Sequence, residues 1–94
     1  MKSRLMSRNI VVNGHRTSMR LEEAGWEAID DICRHENISL NDLCTAIDQR
    51  RSNSSRTAAV RAFIITYFRQ LVAESGILPG GHVGKLIPEL SAAG

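Results

Sequence analysis

Aromatic side chains are scarce in this chain: Trp26, Phe63, Tyr67 and Phe68 are the only ones among 94 residues. That is too few for a platform on which successive bases of a single-stranded nucleic acid could stack. Cysteine is scarcer. Cys33 and Cys44 sit among apolar residues at helical spacing, without a CxxC or a second pair, so they read as buried free thiols of a reducing cytosol rather than as a disulfide framework or a zinc site. No apolar run approaches the length that crosses a bilayer, and the basic N-terminus lacks the long apolar stretch of a signal peptide. A soluble, cytoplasmic chain with no membrane partner is expected. His15, His35 and His82 lie in three separate segments with no ligand spacing among them, so neither a metal nor a cofactor is expected. A nucleophile elbow and a glycine-rich phosphate loop are both missing, and a domain this small has little room for a cleft. An enzyme is not expected.

The net charge of +2 conceals a segregation along the chain. Residues 1–20 carry Lys2, Arg4, Arg8, Arg16 and Arg20 without an acid, for +5. Residues 21–48 carry Glu22, Glu23, Glu27, Asp30, Asp31, Glu36, Asp42 and Asp48 against Arg34, for −7. Residues 49–72 return to +5 through Arg50, Arg51, Arg56, Arg61 and Arg69. Such blocks favour a molecule with a basic face and an acidic back, and the first block favours an anionic partner.

Three units follow from the pattern: a flexible basic arm over residues 1–8, a folded domain over 9–75, and a flexible tail over 76–94. Ile10-Val11-Val12 is a β-branched run, and Asn13-Gly14 suits the positive φ angles of a type I′ hairpin turn. From His15 the chain alternates, with Thr17, Met19 and Leu21 on one side and Arg16, Ser18 and Arg20 on the other. A first helix is expected from about Glu22 to His35, with acids at its positive end and a stripe of Trp26, Ile29 and Ile32. Asn37 is a left-handed stop, and Ser39 with Asp42 has the form of a capping box. The second helix follows with Leu40, Leu43, Cys44 and Ile47 at i, i+3, i+4 and i+7. A third helix is expected from about Ser55 to Glu74, its broad apolar face running from Val60 through Phe63 and Tyr67 to Val72. Leu78-Pro79-Gly80-Gly81 and the terminal Ser-Ala-Ala-Gly suit a mobile tail.

A strand with at most one short neighbour leaves an open edge, and a two-stranded hairpin is marginal in water. Pairing His15–Leu21 antiparallel with its copy in a second chain satisfies the edge and gives a closed twofold dimer. Thr17, Met19, Leu21, Trp26, Ile29, Ile32, Leu43, Ile47, Phe63 and Tyr67 are then the core and dimer residues. The opposite face shows two copies of Arg16, Ser18 and Arg20. A two-stranded ribbon fits the major groove of double-stranded DNA, where arginine pairs with guanine and serine donates or accepts.

Arg16-Thr17-Ser18-Met19-Arg20-Leu21-Glu22, the stripe around Trp26, Ile29 and Ile32, and Asn37-Ile38-Ser39-Leu40-Asn41 resemble the ribbon-helix-helix proteins, the Arc and Met repressors among them. Gly14-His15-Arg16-Thr17-Ser18 with its later third helix looks closer still to a bacterial subfamily of short proteins of this kind. The resemblance covers about residues 9–72. It implies a mainly α fold with a short β-ribbon and an additional third helix, assembled as an intertwined homodimer. It also implies base contacts by Arg16, Ser18 and Arg20, and a phosphate anchor at Ser39, Leu40 and Asn41, where helix N–H groups attract anions. Arg4 and Arg8 are expected to add phosphate contacts. The expected function is a transcriptional regulator, a repressor on a short operator, acting as a dimer or a higher oligomer. The alternative is a protein-interaction module, such as an antitoxin-like or adaptor subunit, that takes a protein partner through the third helix.

Overall fold

A computed structural model describes residues 4–76 and 80–90. It is mainly helical, with one two-stranded sheet. Strand β1 spans Leu5–Val12 and β2 spans His15–Glu22. Asn13 and Gly14 join them at φ of 51° and 82°, the left-handed values that a two-residue type I′ turn requires at both centres. The turn fixes the register from Val12↔His15 to Leu5↔Glu22. The Glu23 N–H extends the same register by donating to the Arg4 carbonyl at 3.0 Å.

Helix α1 spans Glu23–Glu36 and stops at Asn37, whose left-handed φ of 54° lets its own N–H and that of Ile38 return to the Cys33 carbonyl. Helix α2 spans Leu40–Arg50 behind its N-cap Ser39, and α3 spans Arg56–Ser75 behind Ser55. The two serine hydroxyls accept from the Asp42 and Ala58 N–H groups, both at 3.1 Å, which satisfies donors that a helix start leaves over. Helix α4 spans His82–Leu86, and a 3-10 turn follows at Pro88–Leu90.

The inward face of the hairpin, Ile10, Val12, Met19 and Leu21, packs with Trp26, Ile29 and Ile32 of α1, Leu43, Cys44 and Ile47 of α2, and Val60 of α3 into one core. The alternation read from the sequence therefore holds: Met19 and Leu21 are buried, Thr17 is half-buried, and Arg16, Ser18 and Arg20 are exposed. Phe63 and Tyr67 pack only partly against the core, and Val60 is the one buried residue of α3.

Two expectations meet a different structure. The strand starts at Leu5, so residues 5–8, assigned to the flexible arm, lie in the hairpin. Their sequence has no β-branched run, but the register carries the pairing outward, and the Trp26 indole N–H ties the strand by donating to the Met6 carbonyl at 2.8 Å. Residues 1–3 lie outside the described residues. The tail contains α4 and the 3-10 turn within 80–90, whereas 77–79 and 91–94 lie outside the described residues. The short neighbour expected for β2 at residues 10–12 is the part of β1 nearest the turn.

Candidate nucleic-acid interface

The register divides the hairpin into two faces. Opposite the core lie Leu5, Ser7, Asn9 and Val11 of β1 and, across from them, Glu22, Arg20, Ser18 and Arg16 of β2. Among the described residues, Arg16 and Arg20 have no hydrogen bond or ion pair, and both are exposed. Between them the Ser18 hydroxyl donates to Asn9 Oδ1 at 3.0 Å, and Ser7 Oγ lies 3.4 Å from Ser18 Oγ. Arg16, Ser18 and Asn9 border a concavity of about 540 Å³ whose rim also carries Asn41, at the start of α2. The folded chain thus brings two of the three residues expected to contact bases, Arg16 and Ser18, together with one of those expected to hold phosphate.

The other expected phosphate contacts divide. Arg8 faces the core side of the sheet, where it donates to both Asp30 carboxylate oxygens at 2.9 and 3.0 Å and its guanidinium carbon lies 4.5 Å from the Trp26 ring centroid. Hydrogen bonding to Asp30 raises its already high pKa, against a small opposing effect of burial. Arg8 is therefore held away from the outward face. Arg4 is exposed at the foot of β1. Ser39 caps α2 with its hydroxyl, Leu40 packs against the core, and Asn41 Oδ1 accepts the Val11 N–H at 2.9 Å. Ser39 takes the Asp42 N–H, so the Leu40 and Asn41 N–H groups of the first turn remain available to an anion.

The two sheet edges differ. Along β1, Asn41 Oδ1 takes the Val11 N–H and Thr45 Oγ1 takes the Asn13 N–H at 3.0 Å, so α2 covers that edge. Val12 and His15 flank a two-residue turn and form a hydrogen-bonded pair, so alternation points the N–H groups of Arg16, Ser18 and Arg20 away from β1. No partner for them is present among the described residues. The edge of β2 is open.

Ion pairs hold the helices behind this face. Arg61 of α3 donates to both Glu22 oxygens at 3.0 and 3.1 Å, at the junction of β2 with α1. Glu22's own backbone N–H, and then Arg61, hold its carboxyl below the ordinary value. Asp48 accepts from Arg56 at 2.8 Å and from Arg51 at 2.7 Å across the α2–α3 turn, and these bonds lower its pKa, Arg56 first. Burial pushes the Cys44 thiol up to about 11, and Cys33 is raised by burial as well. Among the described residues no group of three histidine, cysteine or acidic side chains could hold a metal ion, and no helix is long and apolar enough to cross a membrane.

Ser7 and Asn9 were not among the residues singled out from the sequence. The signal was there: a two-residue turn at Asn13-Gly14 makes paired positions sum to a constant, which sets Asn9 opposite Ser18.

A hairpin followed by two helices, with a cationic strand face turned outward, is a ribbon-helix-helix architecture. The family model of the ribbon-helix-helix domain matches residues 5–68, and the chain belongs to that family. The family is generally one of DNA-binding, non-enzymatic transcription regulators. The match begins at the first residue of β1 and ends within α3. No curated protein and no solved structure matches the chain.

Proposed function

We propose that this protein is a sequence-specific, cytoplasmic DNA-binding repressor that meets double-stranded DNA with the outward face of its hairpin and works as a homodimer. The observation that carries the reading is the state of Arg16 and Arg20: two guanidiniums unpartnered among the described residues, flanking Ser18 on one face of one strand, with Arg16 and Ser18 at a concavity that reaches the start of α2. Guanidiniums so placed suit guanine O6 and N7 in the major groove, and the free N–H groups of α2 suit a flanking phosphate. Asp42 in the first turn of α2 tempers that anchor by its negative charge. Twofold pairing through the open β2 edge sets two β2 strands at the centre of a four-stranded sheet. The twist of about 20–25° between neighbouring strands then turns the outer β1 strands away from the groove floor. Labelled duplexes titrated at several salt concentrations test the reading. A log affinity that falls linearly with log salt supports it, and no binding even at low salt refutes it.

A protein-interaction module is the second reading, and α3 favours it. Leu43, Ala46 and Ile47 of α2 with Ala59, Ala62 and Phe63 of α3 line an open groove of about 430 Å³, and Ile65, Leu71 and Val72 are exposed beyond it. A stable complex with a defined protein, together with absent DNA affinity, would favour this reading over the first.

A further inference from the structure

Asn9 and Ser18 form a non-hydrogen-bonded cross-strand pair, the kind in which opposite side chains come closest. A serine hydroxyl has one proton and two lone pairs, and a freely rotating serine can meet either a donor or an acceptor on a base edge. Ser18 is not free in this sense. Its proton is engaged by Asn9 Oδ1 at 3.0 Å, and Ser7 Oγ stands 3.4 Å from its oxygen. The strand that presents Asn9 is fastened on both flanks, by the Arg8 pair with Asp30 and by the Val11 N–H bond to Asn41.

We propose that Asn9 is a positioning residue for sequence readout: by taking the Ser18 proton it leaves Ser18 a pure acceptor, so the chain selects adenine or cytosine over guanine or thymine at the base facing Ser18. Adenine N6 and cytosine N4 are the major-groove amino donors that a lone pair can meet, whereas guanine O6 and thymine O4 are acceptors and meet it lone pair to lone pair. This inference rests on the DNA reading above and adds to it a base class and a residue outside the β2 strand.

Selection of bound sequences from random duplex DNA tests it, with the full chain, Asn9→Ala, Ser18→Ala and Asn9→Asp. The position facing Ser18 is the one whose preference Ser18→Ala removes. There the unaltered chain is expected to favour adenine or cytosine by about threefold to tenfold, the worth of one hydrogen bond. Asn9→Ala is expected to lose the same preference while keeping the parent's thermal unfolding and salt slope, which a merely structural role would not allow. Asn9→Asp still accepts the proton and is expected to keep the preference, with weaker binding to every sequence because of its added negative charge. The proposal is overturned if Asn9→Ala selects the same bases as the parent, if guanine or thymine is preferred at that position, or if Ser18→Ala changes no position. Absence of duplex binding by the unaltered chain is a different failure: it refutes the DNA reading and this inference together.

Discussion

Arg8, Arg34, Arg51, Arg56 and Arg61 each bond a carboxylate, whereas Arg16 and Arg20 bond nothing among the described residues. Arg50 and Arg69 are likewise without a side-chain bond among the described residues, but only Arg16 and Arg20 share the outward face of the hairpin. Arg20→Ala is expected to relax base preference at one position, a loss of about 1–3 kcal/mol of discrimination, with unfolding unchanged; competition between matched and singly altered duplexes measures it. Neutralising Arg4 is expected instead to weaken binding to all sequences and to flatten the salt slope by about one contact. Arg8 carried the same charge in the sequence, yet its contact with Asp30 depends on where α1 settles under the hairpin, twenty-two residues away. Nothing local announces that. Both cysteines are free thiols, but Cys44 alone is buried as expected, Cys33 being half-buried, and burial keeps Cys44 protonated at neutral pH. Alkylation of Cys44 in the folded chain at pH 8 is expected to be far slower than after denaturation, as mass spectrometry of time points would show.

At the scale of elements, turn and cap chemistry made most boundaries legible. Asn13-Gly14, Asn37, Ser39 and Ser55 each do in the structure what their residue type implies, because a positive φ or an uncapped N–H is a local demand that a local residue meets. Gly14→Ala is expected to cost about 1–2 kcal/mol, all of it backbone strain at φ of 82°, since no atom lies within 4 Å of the added methyl; denaturant titration measures it. Less legible was the length of β1. Residues 5–8 have no alternation to mark a strand, and pairing with β2 imposes one. The same holds for the covered β1 edge, which depends on α2 laying Asn41 and Thr45 beside it. Asn41→Ala is expected to lower stability by about 1 kcal/mol, read as a shift in the denaturation midpoint, because the Val11 N–H loses its acceptor.

For the molecule as a whole, the open β2 edge and the ion pairs around the core set the conditions under which the fold and its assembly persist. The Ser18 N–H points away from β1, so Ser18→Pro removes a donor from the outer edge and none from the hairpin. It is expected to yield a folded monomer by light scattering if the chain dimerises through that edge. Glu22 and Asp48 both have carboxyls held below their ordinary values, so each stabilises the fold at pH above the usual carboxylate range, and that stability disappears as pH falls through the lowered values. The melting temperature is expected to fall on acidification below about pH 4.5, and Asp48→Asn to flatten that fall. By itself the sequence determined the order of β2 and the three helices after it, most of their ends and the polar face of β2, because periodicity, turn residues and caps act over a few positions. Only the tertiary structure decided how far β1 extends, which arginines stay unpartnered, and that Asn41 and Thr45 cover the β1 edge, because those depend on residues far apart in the chain meeting across the core.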